Sequence, residues 1–374
     1  MILTKLNKFI RFGIVYFMFF LIGDIIVSNF FINKKIENNC YEWLDDFYRL
    51  KKNCYAKEKW IKKSKSYKVF TDENGFRYSG NKKINNNKTK TAIFFGGSFT
   101  YGMGTSHKKS FVGLIENEKS DYNILNLGVA GYSPTVFNYQ LNELLKNEII
   151  PDKIFLILDI IDVNTEATNW ELRNGNGRPI NINQIPDTNK NEKKFKNFKR
   201  KNFKVTRMIT SSINNSLRSL RFHVSKLRQD DKDIEEKKKK KSVSRYISFL
   251  SEDKKELDES FWGPYGFDQG IIKIENSIKK ISNTAKKIDA DLYIIIYPWP
   301  GTLKYGQNQF NWEEFAEGIC RKNKCKKLIN FFPDFNEIKE SSNNWVNKLF
   351  IEDDVHLTNY GHNLVAKKII LESF

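Results

Sequence analysis

The sequence predicts an α/β fold with a parallel sheet and flanking helices. Short apolar runs recur along the chain and are separated by segments long enough to form helices. The predicted strands cover residues 91–95, 122–127, 153–160, 291–297 and 327–331. Because parallel neighbours in a sheet need a long crossover connection, usually a helix, this alternation favours a parallel sheet. Such sheets place their binding and catalytic side chains at the carboxyl ends of the strands.

Two of the segments outside the strands contain helix signals. Ser133 precedes Pro134, an order typical of a helix start. A serine side chain can accept a hydrogen bond from an unpaired amide of the first turn, and proline has no amide hydrogen that would be left unpaired there. Near the C-terminus, an apolar stripe at helical spacing comprises Leu357, Gly361, Leu364, Val365 and Ile369. We expect this stripe to face the sheet. The loop before the helix, which contains His356, would then lie at the edge of the sheet.

The composition is that of a folded protein with a sizeable core. Of the 374 residues, 40% are hydrophobic and 30 are phenylalanines, enough for one large or two modest domains. The formal net charge is +19, but the lysines are spread along the chain rather than gathered in one patch. No nucleic-acid partner is therefore expected.

The N-terminal region predicts a membrane anchor. Residues 12–32 are apolar except for three polar positions, one of them Asp24, and are long enough to cross a bilayer. Basic residues before this stretch, which favour a cytoplasmic N-terminus, are Lys5, Lys8 and Arg11. No small-x-small cleavage site follows, so residues 1–35 are predicted to form a cytoplasmic tip and single-pass signal anchor, with the rest on the exported, periplasmic side. The alternatives are a cleaved signal peptide and a buried helix, and Asp24 is costly in a membrane span.

Further boundaries follow from changes in composition. Residues 36–90 are interpreted as a lead-in segment that packs on a main domain at 91–374, which has a Lys-, Arg- and Asn-rich insertion at about 165–260. Within the insertion, apolar residues from Val205 to Leu227 recur at steps of three or four with arginines among them, which predicts a basic amphipathic helix. The preferred interpretation is packing on the main domain, and the alternative is an anionic membrane surface.

Four cysteines on the presumed exported side permit two disulfides. Proximity in sequence suggests that Cys40 pairs with Cys54 and Cys320 with Cys325, and free buried thiols are the alternative. The four histidines are scattered, and no cysteine pair lies beside a histidine at zinc spacing. No metal site is therefore expected.

A nucleophile, a base and an acid are predicted at the sheet edge. Ser98 follows Gly96 and Gly97 directly after the first strand, and Asp353 and His356 lie three residues apart before the last helix. At that spacing the carboxylate can orient the imidazole, while the other ring nitrogen reaches the serine hydroxyl. Each residue alone has a structural alternative, a turn serine or a helix-start histidine. Their combination predicts catalytic Ser98, Asp353 and His356.

Three blocks of this sequence resemble the SGNH hydrolases, also called the GDSL esterase and lipase superfamily. The blocks are Gly96-Gly97-Ser98-Phe99-Thr100, Asn126-Leu127-Gly128-Val129-Ala130-Gly131, and Asp353-Asp354-Val355-His356-Leu357 followed by Gly361-His362. The resemblance covers about residues 91–164 and 265–371, whereas the serine loop does not match the Gly-x-Ser-x-Gly elbow of the α/β-hydrolases. It implies a three-layer, flavodoxin-like sheet and no cofactor.

The resemblance also implies roles for individual residues. Ser98 would attack an ester carbonyl, His356 would act as the base and Asp353 would orient it. The backbone amides of Ser98 and Gly131 would bind the oxyanion, and a glycine suits this position because its backbone can approach the intermediate closely. Gly128 is the alternative to Gly131.

Two positions depart from the family pattern. Gly97 stands where the family usually has aspartate, a change that spares the nucleophile. Ile161 stands where the family has an asparagine whose side chain donates to the oxyanion. Loss of one such donor typically costs on the order of a hundred- to a thousand-fold in rate. The candidates to replace it are Asn126, Asn164 and Asn169.

Other polar and aromatic residues follow the strand ends. An acidic cluster of Asp159, Asp162 and Glu166 either binds a cation or polar substrate or, as we prefer, caps the next segment in contact with solvent. Aromatic residues after the fourth strand either line an acyl or sugar pocket or pack in a rigid loop. The predicted pocket residues are Asp162, Asn164, Tyr297 and Trp299.

These observations predict a membrane-anchored serine esterase that acts on an acylated small molecule or on O-acyl groups of envelope carbohydrate. An O-acetyltransferase, in which a sugar hydroxyl replaces water, is the first alternative. A carbohydrate-binding protein with weak catalysis is the second, and it is motivated by Ile161.

Overall fold

The computed structural model describes residues 2–27, 39–44, 46–61, 65–80, 90–173, 177–182, 203, 205–206, 209–210, 265–307 and 310–374. The chain forms two compact units, of which one comprises Met1–Lys35 and Pro186–Lys240 and the other Ile36–Ile185 and Lys241–Phe374. We call them the N-terminal unit and the catalytic unit, the second named for the predicted catalytic residues that it contains. The predicted basic amphipathic helix and the lysine run at 237–241 lie almost entirely outside the described residues.

The described strands, in chain order, are β1 (Tyr41–Leu44), β2 (Phe47–Leu50), β3 (Tyr55–Glu58), β4 (Tyr67–Thr71), β5 (Arg77–Tyr78), β6 (Lys90–Phe95), β7 (Tyr122–Asn126), β8 (Lys153–Leu158), β9 (Trp170–Leu172), β10 (Pro179–Asn181), β11 (Asp291–Ile296) and β12 (Lys327–Asn330). The described α-helices are α1 (Ile2–Ile26), α2 (Ser98–Tyr101), α3 (Phe111–Glu118), α4 (Pro134–Lys146), α5 (Ile161–Thr168), α6 (Gly266–Lys287), α7 (Pro300–Tyr305), α8 (Trp312–Asn323), α9 (Phe332–Ser341), α10 (Trp345–Leu349) and α11 (Asn359–Ser373).

The catalytic unit is built on an eight-stranded mixed sheet of order β12-β11-β8-β6-β7-β5-β4-β3. The strands from β12 to β7 pair in parallel, and all of them are predicted strands that end within two residues of the expected positions. The expectation of a purely parallel sheet is wrong, because β5, β4 and β3 add an antiparallel extension. These strands lie in the lead-in segment, which continues the sheet rather than only packing on it.

Apolar side chains on both faces of the sheet explain why β6 is almost continuously hydrophobic. Ile93 and Phe95 belong to one buried cluster, together with residues of α4, α6 and α8. Ala92 and Phe94 belong to the other, together with residues of α3, α9 and α11. The helices therefore form a layer on each side of the sheet, and the stripe of the last helix faces it as expected.

The described part of the insertion adds a small structure of its own. Its first residues complete α5, and β9 and β10 form a separate antiparallel hairpin.

All four cysteines are paired, Cys40 with Cys54 and Cys320 with Cys325, at Cα–Cα distances of 5.8 and 5.0 Å. The first disulfide closes a loop around the hairpin of β1 and β2.

In the N-terminal unit, α1 has exposed large apolar side chains along its described length, including Phe12, Phe17 and Phe19. Asp24 is the exception, because it is only 3% exposed. Its carboxylate accepts hydrogen bonds from the backbone amides of Val205 and Thr206, at 3.0 and 2.8 Å, and from the Thr206 hydroxyl. Within the described ranges, no helix combines the length and hydropathy of a membrane span.

A buried histidine makes the stability of the catalytic unit depend on pH. His362 in α11 is 1% exposed, and its Nδ1 accepts a hydrogen bond from the Phe111 amide at 3.3 Å. Burial, with smaller contributions from the charges of Arg77 and His356, lowers the pKa of His362 to about 3. Its ordinary value is about 6.5. Since the unfolded chain binds the proton more readily, stability falls as the pH drops from about 6.5 towards 3.

We expect the His362→Asn variant to lose part of this pH dependence, because asparagine keeps an acceptor and does not titrate. Below about pH 6, the free energy of unfolding of the wild type should fall more steeply than that of the variant, by up to about 1.4 kcal/mol per pH unit. Urea denaturation at several pH values between about 7.5 and 4.5 measures both slopes. Parallel slopes would contradict the assignment of a buried neutral His362.

Candidate active site

Ser98 lies at the carboxyl end of β6, as the first residue of α2. The turn between the strand and the helix is tight, because a Cβ at Gly96 would lie 2.0 Å from Thr100 Oγ1. The packing around Gly97 does not require glycine, since a Cβ there would meet only the Tyr132 carbonyl, at an ordinary contact distance of 3.5 Å. The first glycine is therefore required by packing, and the serine is presented at the end of the sheet.

His356 lies in the loop between α10 and α11, and its Nε2 is 2.7 Å from Ser98 Oγ. The loop is held by a hydrogen bond from the Ile351 amide to the His356 carbonyl, at 2.8 Å. Thr358 caps α11 by accepting the Gly361 amide, so the helix begins at Asn359, three residues after the histidine. The structure thus brings together two of the three predicted catalytic residues, which lie far apart in sequence.

The acid beside the imidazole is Asp354, and the prediction of Asp353 is wrong. Asp354 Oδ1 contacts His356 Nδ1 and also accepts the His356 backbone amide at 2.9 Å. A carboxylate that accepts an amide two residues on forms an Asx turn, which places it beside the ring. Asp353 has a left-handed backbone, with φ of 59°, in the preceding turn. The prediction rested on the spacing of three residues alone, and the tighter Asx turn brings Asp354 to the ring instead.

Asp354 is held as a carboxylate. Its burial by itself raises the pKa, but the hydrogen bonds and charge of His356, together with the Trp60 hydrogen bond, outweigh this effect and bring the pKa below its ordinary value. A carboxylate at Nδ1 keeps the ring proton on that nitrogen, and Nε2 is then free to accept the Ser98 proton.

Gly131, the predicted oxyanion donor, lies in a braced loop after β7. Its φ is 78°, and a Cβ would lie 2.5 Å from the Tyr48 hydroxyl, so both the backbone and the packing require glycine. Tyr48 donates to the Ala130 carbonyl and the Trp170 indole donates to the Gly131 carbonyl, both at 2.8 Å. Because a peptide group is planar, fixing the Ala130 carbonyl also fixes the direction of the Gly131 N–H.

Two of the alternative oxyanion donors have structural roles instead. The Gly128 amide donates to Asn126 Oδ1 at 2.9 Å, and a Cβ at Gly128 would lie 2.3 Å from the Tyr101 amide nitrogen. The Asn126 side-chain nitrogen donates to the Thr100 carbonyl at 2.8 Å. These contacts tie the loop after β7 to the helix of the nucleophile.

The remaining asparagine candidates both belong to the region of α5. The Asn169 side-chain oxygen accepts the Thr168 hydroxyl at 2.9 Å. Asn164 is half-buried, and its carbonyl accepts the same hydroxyl at 2.7 Å. Ile161, in the place of the family asparagine, is half-buried at the first position of this helix.

The acidic cluster is buried, so the expectation of solvated carboxylates is wrong. Asp159 accepts the Tyr297 hydroxyl at 2.8 Å and the Ile161 amide at 3.2 Å, and Asp162 accepts the Asp159 amide at 2.9 Å. Burial raises the pKa of Asp159 to about 6, even though these hydrogen bonds lower it. Asp162 and Asp159 therefore do cap the turn at the start of α5, as preferred, but inside the protein.

Glu166 caps a different helix. Its carboxylate accepts the Ser133 hydroxyl at 2.8 Å and the Thr135 amide and hydroxyl, both at 2.7 Å, and Lys273 Nζ lies 4.0 Å away. Ser133 is the N-cap residue of α4 and Pro134 follows at the helix start, as predicted. The serine side chain, however, donates to Glu166 and the glutamate satisfies the helix amide.

Of the two aromatic residues of the predicted pocket, Tyr297 packs behind the imidazole through Phe99. Tyr297 is buried, and its ring centroid lies 4.2 Å from that of Phe99, which in turn lies 5.0 Å from that of His356. Trp299 is half-buried and packs against the apolar core. Of the four predicted pocket residues, Asp162 and Tyr297 are thus buried, whereas Trp299 and Asn164 are half-buried.

The lead-in segment contributes side chains that sequence reasoning missed. The Trp60 indole donates to Asp354 Oδ2 at 2.6 Å. Glu58 accepts the hydroxyls of Tyr67 and Tyr101, at 3.0 and 2.9 Å. Arg77 donates to backbone carbonyls at the end of α2. For Glu58 and Arg77, the signal in the sequence was a charged residue inside a short strand with alternating apolar positions. Such a residue is buried only together with a specific partner.

Among the described residues, no group of three or more histidine, cysteine, aspartate or glutamate side chains is arranged to hold a metal ion.

The arrangement around Ser98 is that of an activated nucleophile. The hydroxyl can lose its proton to Nε2 while Asp354 stabilises the resulting imidazolium.

The fold is similar to several solved structures at low sequence identity. One is LAE5, an alpha/beta hydrolase enzyme from the metagenome of Lake Arreo, Spain, with 8% identity, coverage of 76% of this chain and 94% of that chain, and a TM-score of 0.41. Another is a catalytic mutant of Axe2, an acetylxylan esterase from Geobacillus stearothermophilus, with 10% identity, coverage of 77% and 95%, and a TM-score of 0.40. No protein-family model and no curated protein matches the sequence. Likenesses at this level leave the activity to be inferred from the site itself.

Separate replacement of Asp353 and Asp354 by asparagine tests which of the two is the acid of the triad. We expect Asp354→Asn to slow covalent labelling of Ser98 by a fluorophosphonate at least about a hundredfold, because the imidazole loses its orienting charge. Asp353→Asn, the matched control, should label at the wild-type rate. The labelling rates of the two variants, followed by mass spectrometry, decide between them. A slower Asp353→Asn with a normal Asp354→Asn would restore the sequence prediction.

Proposed function

We propose that this protein is a serine ester hydrolase of the SGNH type that acts through an acyl-enzyme on Ser98. The observation that supports this proposal is the continuous line from the Ser98 hydroxyl through His356 to Asp354, at the carboxyl end of the central strand. A hydroxyl so placed needs no metal or cofactor to become a nucleophile.

In the first half of the proposed reaction, Ser98 Oγ attacks the ester carbonyl and its proton passes to His356 Nε2. The carbonyl oxygen becomes an oxyanion, which the amides of Ser98 and Gly131 stabilise. The tetrahedral intermediate then collapses, the ester C–O bond breaks, and His356 returns the proton to the departing alcohol. Water attacks the acyl-enzyme by the same route and releases the acid and free Ser98.

The oxyanion site has two backbone donors in this proposal, and Ile161 supplies none. Loss of a third donor costs on the order of a hundred- to a thousand-fold in rate. The braces on the Ala130–Gly131 peptide support a partial compensation, because a pre-oriented N–H needs little reorganisation during the reaction. We therefore propose a functional enzyme of modest turnover rather than a protein that only binds. A binding site has no need of an aligned hydroxyl, imidazole and carboxylate.

We further propose that the substrate is an O-acyl ester of an envelope carbohydrate or a small acylated molecule, and that the apolar stretch at residues 12–32 anchors the protein with its catalytic unit on the exported side. The exposed apolar side chains of α1 support the anchor, and Asp24 is compensated by hydrogen bonds rather than left as an uncompensated charge. Two disulfides suit an oxidising compartment. The exposed Trp43 offers a face on which a sugar can stack.

Fluorophosphonate labelling and ester hydrolysis test the proposed activity together. We expect the wild type to be labelled at Ser98 and to hydrolyse 4-nitrophenyl acetate, and we expect Ser98→Ala and His356→Ala to lose both activities. Ser341→Ala, which removes a serine hydroxyl from the end of α9, is the matched control and should behave as the wild type. Hydrolysis that persists in Ser98→Ala would refute the proposal.

The same preparation distinguishes hydrolysis from acyl transfer. Wild-type protein with an acetylated oligosaccharide donor and an unacetylated acceptor should release acetate. Acetylated acceptor in excess of free acetate would instead identify a transferase, in which a sugar hydroxyl resolves the acyl-enzyme. Sugar binding without Ser98 labelling would identify the binding protein.

A further inference from the structure

We propose that Trp60 is a positioning residue for the triad, and that its indole N–H fixes the carboxylate of Asp354 in the plane that the imidazole requires. This inference rests on the proposed function. Trp60 follows β3 in the antiparallel extension and lies 294 positions from Asp354 in sequence. Neither the sequence blocks of the family nor the predicted triad includes it.

The two oxygens of Asp354 have separate partners. Oδ1 contacts His356 Nδ1 and accepts the His356 amide at 2.9 Å, whereas Oδ2 accepts the Trp60 indole at 2.6 Å. A carboxylate bonded through one oxygen can still rotate about its last torsion, which is broad and weakly restrained. A donor on the second oxygen removes that freedom, so the orientation of Asp354 depends on both contacts.

Trp60 also covers the pair it orients. Its ring meets the imidazole of His356 edge-on, with centroids 5.2 Å apart and an interplanar angle of 84°. Trp60 itself is 41% exposed, whereas Asp354 and His356 are 9% and 5% exposed. A partly exposed indole thus packs against a buried carboxylate–imidazole pair. A charged hydrogen bond strengthens where water is excluded.

The hydrogen bond has a definite electrostatic consequence. An N–H donor withdraws negative charge from the carboxylate, so its removal leaves Asp354 more basic and its attraction for a protonated His356 stronger. Protonation of His356 stops catalysis, because Nε2 can then no longer accept the serine proton. Loss of the Trp60 donor should therefore move the acid limb of the pH–rate profile to higher pH. A merely structural tryptophan would leave that limb in place.

Trp60→Phe tests the proposal, because phenylalanine keeps an aromatic ring and removes the donor. We expect kcat for 4-nitrophenyl acetate to fall about tenfold with little change in KM, as for the loss of one hydrogen bond to a charged group. The acid limb should shift to higher pH. Trp345→Phe, a half-buried tryptophan of α10 whose ring contacts Phe350, is the control for the exchange itself and should leave both quantities unchanged.

A double-mutant cycle separates positioning from general stability. In the Asp354→Asn background, Trp60→Phe should have no further effect on the rate of Ser98 labelling, because its partner is already altered. An equal loss in both backgrounds, or an unshifted acid limb, would overturn the proposal. A change in KM alone would assign Trp60 to substrate contact and also overturn it. A wild type without Ser98-dependent labelling would instead refute the proposed function, and with it this inference.

Discussion

The position of the nucleophile depends on one buried guanidinium. Helix α2 has four residues, too few to be stable alone, and its last carbonyls have no partner within the helix. Arg77, only 1% exposed, donates to the carbonyls of Tyr101 and Gly102, and to that of Thr105 at 2.5 Å. The guanidinium also lies 4.4 Å from the centroid of the Tyr101 ring. Without it, these three carbonyls would lose the guanidinium donor, although that of Gly102 also accepts the Thr105 amide at 3.2 Å.

A second buried charge, that of Glu166, fixes the start of α4 in a similar way. Arg77 lies at the C-terminal end of α2, where the helix dipole favours a cation. Glu166 lies at the N-terminal end of α4, where the dipole favours an anion, and Lys273 partly neutralises it. The serine loop and the Gly131 loop are therefore each fixed by a charge of the sign that the adjoining helix end attracts. Apolar packing builds the sheet, but these polar contacts set the geometry at its edge.

The parallel core and much of the site follow from local sequence patterns. The strands are apolar runs with sharp ends, and Ser98 and His356 follow such ends, so their meeting at one sheet edge is a matter of topology. The choice of Asp353 over Asp354 failed because spacing alone does not separate a helical turn from an Asx turn. The burial of Glu166 could not be predicted, because its partners at α4 are distant in sequence. The contact of Trp60 with Asp354 is a tertiary one for the same reason.

How far the site is a property of its motifs depends on the lead-in segment, residues 36–90. Tyr48, Glu58, Trp60 and Arg77 all precede the first parallel strand, yet they contact the Gly131 loop, the Ser98 helix and the triad acid. A chain begun at Lys90 would keep every triad residue and every parallel strand while losing all of these supports. Grafting the serine and histidine loops onto another α/β scaffold would likewise transfer the reacting groups without their alignment. The smallest transplantable unit therefore includes the lead-in segment, which the motifs leave out.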